Sequence, residues 1–309
     1  MGAPRIVVVG STMIDLIAYA DRLPGDGETV VGSSYETGFG GKGANQAVMA
    51  ARFGAEVAMV NTLGDDGHGT AYLEQLSAEG IDTSFMRRVP GSSGVAPIWV
   101  DRSGSNRIIV VPGANLDVRP DVATAAVESL RPQVVIGQFE IPQATTTAGF
   151  EAGRAIGAVT VLNPAPAASV DPGLLAVTDW LVPNGPEFEL IGGEPLGGAP
   201  EVEAAAVARL GERLGVSIVV TLGERGALVV PHGQAASWVA APEVDAIDTT
   251  GAGDAFVGAF AVGLASGWSP VDAVRLGCAA AADSVTRRGT QASYPDRNRA
   301  ASMLGAAKP

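Results

Sequence analysis

The segment DTTGAGDAF, residues 248–256, combines small residues with a single acid in a pattern typical of an anion-binding helix start. It leads into small apolar residues that predict a buried helix. The N–H groups of Gly251, Ala252 and Gly253 would be free at that start and, with the helix dipole, would bind an anion. Asp254 could then take a proton from a hydroxyl that attacks a phosphoryl group. Alternatively, Asp254 is a first-turn acid that stabilises the helix dipole by about 0.3–1 kcal/mol.

The segment GFGGKGANQA, residues 38–47, is a second glycine-rich helix start. Its G-x-G-x-x-G spacing occurs in dinucleotide-binding loops, which leaves a nicotinamide oxidoreductase open, although no buried strand is predicted before it. Lys42 is followed by Gly43 and not by Ser or Thr, so the segment is not a Walker A loop. Glycines let a ligand approach the backbone closely, and the amide of Asn45 can bind vicinal hydroxyls. A plain glycine turn into a helix is the remaining alternative.

Two further acids follow apolar runs. Asp15 lies in STMIDL, residues 11–16, just after the first predicted strand, and Glu140 lies in GQFEIP, residues 137–142, at the end of another. Ligands of open α/β sheets bind beyond the carboxyl ends of the strands, where a carboxylate can accept hydroxyl protons from a polyol. Alternatively, Asp15 is an ordinary turn or helix-start acid, and Glu140 is a surface acid before a helix whose first turn contains Pro142.

Two other segments are candidates for the nucleotide side of such a site. VPNGPE, residues 182–187, contains Asn184 and Glu187, which could orient magnesium-bound water near a phosphate chain. The same spacing is also typical of a helix cap. TLGERGALVV, residues 221–230, predicts a strand, a glycine turn and a second strand, and such a turn can flank a nucleotide.

Short β-branched runs alternate along the chain with longer helical patterns, which predicts an α/β fold with a parallel sheet covered by helices on both faces. The predicted strands are 5–10, 56–61, 133–138, 158–163, 179–184 and 217–223, and the predicted helices are 43–54, 68–80, 141–157 and 201–215. Residues 11–40 and 94–111 break the alternation and predict a small β-structured flap, the second of them as a hairpin. We expect residues 1–309 to form a single domain.

Composition and charge exclude several classes of partner. The chain has 309 residues and a formal net charge of −13, so nucleic acid and anionic membranes are poor partners. Its one cysteine, Cys278, excludes an intrachain disulfide and fits a reducing compartment. No apolar stretch reaches the roughly 18 residues of a membrane-spanning helix. We therefore expect a soluble, cytoplasmic protein.

The segments GGKGANQA (40–47) and DTTGAGDAF (248–256) resemble the two signatures of the PfkB/ribokinase family of carbohydrate kinases. PGAN, LNPAPA, PNGPE and TLGERG lie between these signatures and RRGTQASYP lies after them, all in the family's order, so that the resemblance covers nearly the whole chain. It implies a three-layer α/β/α sandwich with a mostly parallel central sheet. It also implies a small β-sheet lid at about 11–40 and 94–111, which in ribokinases serves as the interface of a homodimer.

The activity that the resemblance implies is ATP-dependent phosphorylation of D-ribose at O5, which gives ribose 5-phosphate and ADP. The cofactors implied are Mg²⁺ and an activating monovalent cation such as K⁺. Another sugar or nucleoside kinase of the family is the first alternative, acting on fructose, 2-keto-3-deoxygluconate or an adenosine-like nucleoside. An NAD(P)-binding oxidoreductase and a non-catalytic sugar-binding relative are the alternatives from other classes.

The resemblance further implies roles for the matching residues. The catalytic residues are Asp254 as the general base and Gly251, Ala252 and Gly253 as the anion hole. Matches to sugar-binding positions are Met13, Asp15, Gly41, Lys42, Asn45, Glu140 and Asp254. Matches to ATP-binding positions are Asn184, Thr221, Gly223, Gly226, Gly253 and Cys278, with Glu187 holding Mg²⁺ through water. The monovalent cation would be held by Asp248, Thr250, Ser284, Arg287, Gly289 and Ser293.

Two residues depart from the family pattern. Met13 stands where some ribokinases carry an asparagine that contacts the sugar, and other ribokinase-like sequences also have an apolar residue there. Cys278 stands where the family often has a polar residue near the adenine. These positions bear on the identity of the sugar and on the contact with the adenine.

Overall fold

Strands and helices alternate through residues 2–308, the part of the chain that this computed structural model describes. The strands are β1 (Arg5–Val9), β2 (Met13–Tyr19), β3 (Ser34–Gly40), β4 (Glu56–Gly64), β5 (Met86–Val89), β6 (Val95–Val100), β7 (Asn106–Ile108), β8 (Val134–Gly137), β9 (Val159–Leu162), β10 (Trp180–Leu181), β11 (Ser217–Thr221), β12 (Ala227–Val230) and β13 (Ser237–Val239). The helices are α1 (Lys42–Arg52), α2 (Gly67–Ala78), α3 (Pro120–Leu130), α4 (Gln143–Ala155), α5 (Pro172–Ala176), α6 (Gly185–Leu190), α7 (Pro200–Leu214), α8 (Ala252–Ala265), α9 (Pro270–Ser284) and α10 (Arg297–Ala307). None of these helices is long and apolar enough to cross a membrane.

The large sheet has nine strands in the order β13-β12-β11-β10-β9-β8-β1-β4-β5. All neighbours from β11 to β5 are parallel, whereas β12 and β13 add an antiparallel edge. Apolar side chains fill both faces, since Val8 points into one buried cluster with Phe260 of α8 and Val7 into another with Phe150 of α4. A parallel sheet covered on both faces needs such continuous apolar strands. The predicted α/β sandwich is therefore confirmed.

Several predicted boundaries shift because tertiary pairing decides where a strand or helix ends. Strand β4 continues to Gly64, three residues beyond the predicted end at Asn61, because β5 pairs with Asn61–Gly64. The helix predicted over 141–157 is shorter, since α4 begins at Gln143 after Pro142. Asp15 lies inside β2 and not in a turn or helix start, so both of those interpretations are wrong.

The small sheet has the strand order β3-β2-β6-β7 and is built entirely from residues 11–40 and 94–111. Strands β6 and β7 form the predicted hairpin, in which the Asp101 carboxylate accepts the N–H groups of Ser103 and Ser105 at 2.8 and 3.1 Å. Only the short stretch Gly10–Thr12 separates the end of β1 from the start of β2. The chain thus passes directly from the large sheet into the small one, and the side chains at the start of β2 lie beside the end of β1.

Candidate active site

The start of α8 presents unbonded amides beside a buried acid. Gly251 caps the helix with φ of 76°, a backbone conformation that favours glycine. The N–H groups of Gly251, Gly253 and Asp254 have no acceptor among residues 2–308, but that of Ala252 donates to the Thr249 carbonyl at 3.2 Å. The prediction that the Ala252 N–H is free at the helix start is therefore wrong, because this N–H closes the turn before the helix. The amide of Asp254, which the sequence pattern did not single out, is unbonded among residues 2–308 instead.

Two amide side chains of α1 hold the carboxylate of Asp254. Asn45 Nδ2 donates to Oδ2 and Gln46 Nε2 donates to Oδ1, both at 2.9 Å. This contact requires α1 and α8 to pack closely: a Cβ at Gly258 would lie 2.6 Å from the Gln46 carbonyl oxygen. Sequence reasoning selected Asn45 and missed Gln46, although a second amide side chain in an otherwise apolar helix was a signal for it.

The acids Asp15 and Glu140 also lie beside the start of α1. The Glu140 carboxylate accepts the Ser11 hydroxyl at 2.5 Å and the Lys42 backbone N–H at 2.8 Å. A Cβ at Gly40 would lie 2.5 Å from an Asp15 carboxylate oxygen, so a side chain there would displace that carboxylate. Gly41 has φ of 88°, and a Cβ there would meet the Met13 nitrogen at 2.7 Å. The predicted sugar-binding residues are thus brought together around the start of α1.

Two cavities meet at the start of α8. The smaller, about 170 Å³, is lined by Lys42, Asn184, Glu187, Gly251, Gly253 and Asp254, among others. The larger, about 540 Å³, has walls that include Thr221, Gly223, Gly226, Gly253, Phe256 and Cys278. Gly253 lines both cavities. A long ligand in the larger cavity can therefore extend one end towards Asp254.

The family model described as pfkB family carbohydrate kinase matches residues 3–297. The chain belongs to this family. A deoxyribokinase from Salmonella typhi is 40% identical over 293 residues, which cover 94% of this chain and 95% of the relative. A ribokinase from Mus musculus is 39% identical over 299 residues, or 95% of this chain and 92% of the relative. The solved structure of Arabidopsis thaliana ribokinase complexed with ribose and ATP shares a TM-score of 0.89 and 32% identity, covering 98% and 99% of the two chains.

Membership of the pfkB family removes the oxidoreductase alternative. The structure gives the physical reason, since β3, which precedes the G-x-G-x-x-G glycines, belongs to the small sheet and pairs antiparallel with β2. A dinucleotide fingerprint needs a parallel β-α-β unit of the main sheet at that place. The glycines serve close packing instead: a Cβ at Gly43 would lie 2.5 Å from the Ser11 nitrogen.

Asn184 and Glu187 of this pfkB kinase form a helix cap and also line the smaller cavity. Asn184 Oδ1 accepts the Glu187 N–H at 2.8 Å, and Glu187 Oε2 accepts the Asn184 N–H at 2.9 Å. The helix-cap interpretation is therefore confirmed. Burial raises the pKa of Glu187, although the Asn184 hydrogen bond and the charge of Lys42 partly oppose it. One oxygen of the Glu187 carboxylate has no hydrogen-bond partner among residues 2–308 and is free to face a ligand.

Lys42 places a positive charge among the carboxylates of the site. Burial lowers the pKa of Lys42, but attraction to three carboxylates outweighs burial, and the pKa lies above its usual value. Those carboxylates belong to Asp254, Glu140 and Glu187. Lys42 is therefore protonated at neutral pH and can attract an anion to the smaller cavity.

Cys278 forms part of an apolar wall in the larger cavity. Its thiol is buried, and burial raises its pKa to about 12. A thiol of that kind is neutral at pH 7 and behaves as a small apolar group, not as a nucleophile. Cys278 can therefore pack against a flat ring but offers a base little hydrogen bonding.

The six residues matched to a monovalent cation lie on two segments that contact each other. Asp248 Oδ1 accepts the Thr250 N–H, and Oδ2 accepts the Gly289 N–H, both at 2.9 Å. The Ser284 carbonyl accepts the Arg287 N–H at 3.3 Å, and Arg287 Nε donates to the Ser293 carbonyl at 2.9 Å. Carboxylate and carbonyl oxygens suit a hard cation, so the donor chemistry fits. In residues 2–308 no group of three or more His, Cys, Asp or Glu side chains is arranged to hold a metal.

Asp15→Asn is expected to stabilise the ligand-free protein more near pH 8 than near pH 5. Burial and the charge of Glu140 raise the pKa of Asp15 from 3.8 to about 7. The folded chain therefore holds this proton more tightly than the unfolded chain, and the stability that Asp15 contributes falls as the pH rises from about 4 to about 7. Asparagine does not ionise, so the variant does not lose this stability as the pH rises. Thermal unfolding at both pH values measures the effect, and an equal Tm change at both would contradict it.

Proposed function

We propose that this pfkB carbohydrate kinase transfers the γ-phosphoryl group of ATP to O5 of a pentose, D-ribose in the first instance. The observation that carries the proposal is the start of α8, where unbonded amides and the buried Asp254 lie between a nucleotide-sized cavity and a pair of half-buried acids, Asp15 and Glu140. Relatives named deoxyribokinase and ribokinase, and a related structure complexed with ribose and ATP, support a pentose and ATP as the substrates.

In the proposed reaction Asp254 accepts the proton of the attacking sugar hydroxyl. The bond between that oxygen and the γ-phosphorus forms while the bond from phosphorus to the β,γ-bridging oxygen breaks, and ADP leaves with the electron pair. The amides of Gly251 and Gly253 stabilise the charge on the transferring group. Asp15, Asn45 and Glu140 bind the remaining sugar hydroxyls, with Gly41 at the sugar's edge and Lys42 between the sugar and the phosphate.

The nucleotide is proposed to fill the larger cavity. Thr221, Gly223 and Gly226 would flank it, and Cys278 would pack against the adenine. Asn184 and Glu187 fit a magnesium ion held through water, because Mg²⁺ keeps several waters and needs few protein ligands. When bound, Mg²⁺ neutralises charge on the phosphate chain.

Met13 favours 2-deoxyribose as a second candidate substrate. Met13 and Asp15 alternate with Ile14 on β2, so both side chains lie on the face that borders the site, and Met13 is 3% exposed. A thioether is only a weak acceptor and cannot donate a hydrogen bond to a 2-hydroxyl. Two similar relatives are also named deoxyribokinase.

Met13→Asn is expected to raise kcat/KM for ribose relative to 2-deoxyribose by up to about tenfold, the effect of one net hydrogen bond. Steady-state kinetics with both sugars measure the ratio. Met13→Leu is the matched control, because it keeps an apolar side chain of similar size and should leave the ratio unchanged. An unchanged ratio in the asparagine variant would mean that residue 13 does not contact the 2-position.

A coupled ADP-release assay with MgATP tests the proposed function. A panel of pentoses, fructose, 2-keto-3-deoxygluconate and adenosine separates the pentose proposal from the other kinases of the family. Each sugar is assayed with K⁺ and with only a bulky organic cation, since we propose that K⁺ binds Asp248, Thr250, Ser284, Arg287, Gly289 and Ser293 and activates the enzyme. Equal rates with both cations would contradict the ion site, and absence of ADP release on every sugar would contradict the function.

The small sheet is proposed to act as a lid within a single domain and as a homodimer interface. It is joined to the large sheet at Ser11 and Thr12, and its strand β2 contains Asp15 of the proposed sugar site. Exposed apolar side chains on and beside it include Val31, at 90% exposure, Tyr35, Ile108 and Ile109. Such a patch supports association with a second copy. A cytoplasmic location stays a prediction from the single cysteine.

A further inference from the structure

Gln46 makes three side-chain hydrogen bonds in the protein interior, one of them with the candidate base. Its side chain is 0% exposed. Nε2 lies 2.9 Å from Asp254 Oδ1 and 3.2 Å from Asn163 Oδ1, and Oε1 accepts Gln138 Nε2 at 2.6 Å. Its backbone carbonyl lies against Gly258 of α8. The donor and acceptor ends of the amide are thus both satisfied, where an unpaired amide would be costly.

Asp254, Asn163 and Gln138 together fix which way the Gln46 amide points. Gln138 is also 0% exposed, and its Oε1 lies against Gly10, where a Cβ would be 2.1 Å away. Its Nε2 therefore faces Gln46 and requires an acceptor there. A flipped Gln46 amide would set two donors against each other and a carbonyl oxygen against the Asp254 carboxylate. The hydrogen-bonding chemistry thus directs the Gln46 donor towards Asp254.

We propose that Gln46 is a positioning residue for phosphoryl transfer, an inference that rests on the proposed function. Gln46 and Asn45 each donate to a different oxygen of Asp254. Two donors from one helix fix the plane of the carboxylate, so that its remaining lone pairs face the smaller cavity, where the sugar hydroxyl would arrive. Donors also favour the charged carboxylate, the form that can accept a proton.

Three other ionisable groups act on Asp254 and remain when Gln46 is changed. Lys42 lies at the start of α1, Glu187 in α6 and Tyr294 in the segment before α10. The charge of Asp254 in turn raises the pKa of each of these three groups. Because these groups are unchanged in a Gln46 variant, a change in the pH dependence of kcat/KM can be assigned to the loss of the Gln46 amide.

Gln46→Met tests the proposal, because it keeps the length of the side chain and removes the N–H donor. We expect kcat to fall by about 10²-fold, the cost of a misplaced reacting group, with KM for the sugar unchanged. We also expect the acidic limb of the kcat/KM profile to move to higher pH. Gln46→Glu keeps the shape and replaces the donor with an acid, so it should move the limb further in the same direction. Either variant carries the test if the other does not fold.

Thr146→Val is the matched control for replacing a buried polar group. Thr146 is 0% exposed, lies in α4, and its hydroxyl has no hydrogen-bond partner among residues 2–308. Its isosteric replacement should leave kcat and the pH profile unchanged. An unmoved acidic limb and an unchanged kcat in a folded Gln46 variant would overturn the positioning role. Failure of the unsubstituted protein to phosphorylate any sugar would instead overturn the proposed function, so that the two failures are distinguishable.

Discussion

Asp254→Asn is expected to lower kcat by about 10²–10⁴-fold while leaving the sugar dissociation constant nearly unchanged. Asparagine has almost the same size as aspartate, so the packing of α8 is kept. Its amide cannot take the proton of the attacking hydroxyl. In addition, two donors, Asn45 and Gln46, face the two oxygens of Asp254, and the variant can satisfy only one of them.

Single-turnover transfer from MgATP measures the chemical step, and calorimetry measures sugar binding. Asp272→Asn is the matched control, since Asp272 is also an acid in the first turn of a helix, α9, but lies outside both cavities. The control should retain normal turnover. Near-normal turnover in Asp254→Asn as well would mean that Asp254 only stabilises the dipole of α8.

Gly253→Ala is expected to lower kcat/KM for MgATP by about 10²–10³-fold, which is the typical effect of removing one N–H donor that stabilises the charge of a transition state. The substitution should not destabilise the fold. A Cβ at this position meets no heavy atom of the protein within 4 Å, and the backbone has no positive φ. The methyl group would occupy the space between the two cavities and keep the phosphate away from the amide. Alanine in a helix should raise stability, by up to about 1 kcal/mol.

Gly305→Ala provides the control for the glycine-to-alanine change. Gly305 lies in α10 and is exposed, and a Cβ at this position would also meet no heavy atom within 4 Å. Both variants should keep or raise Tm, but only Gly253→Ala should lose activity. Unchanged kinetics with MgATP in Gly253→Ala would exclude close approach of a phosphate to the start of α8.

Much of the large sheet could be predicted because its strands are buried on both faces. The run Ile6–Val9 cannot lie at a surface, and its neighbour β8 and the next strand, β9, are similarly apolar. Strand ends were less predictable, because they depend on pairing with a distant segment. Asn61 falls inside β4 for this reason, since β5 joins the sheet from 25 residues further along the chain.

The contacts of the site were less predictable than its residue types. Asn45 and Asp254 could be selected from their glycine-rich segments, but the hydrogen bond between them spans 209 residues and depends on how α1 packs on α8. Gln46 was missed for the same reason, since it lies 208 positions before Asp254 in the chain. The Ala252 amide was thought free because the local pattern does not reveal the turn at Thr249 that binds it. Helix packing and turn geometry, which single segments do not encode, decide these points.

The most direct measurement is NMR of the product formed from MgATP and uniformly ¹³C-labelled ribose or 2-deoxyribose. If Asp254 activates the 5-hydroxyl, a phosphomonoester appears with phosphorus coupled to C5, and the Asp254→Asn protein forms almost none of it. A phosphate on another carbon would contradict the proposed orientation of the sugar. No new ester with either sugar would contradict pentose phosphorylation itself.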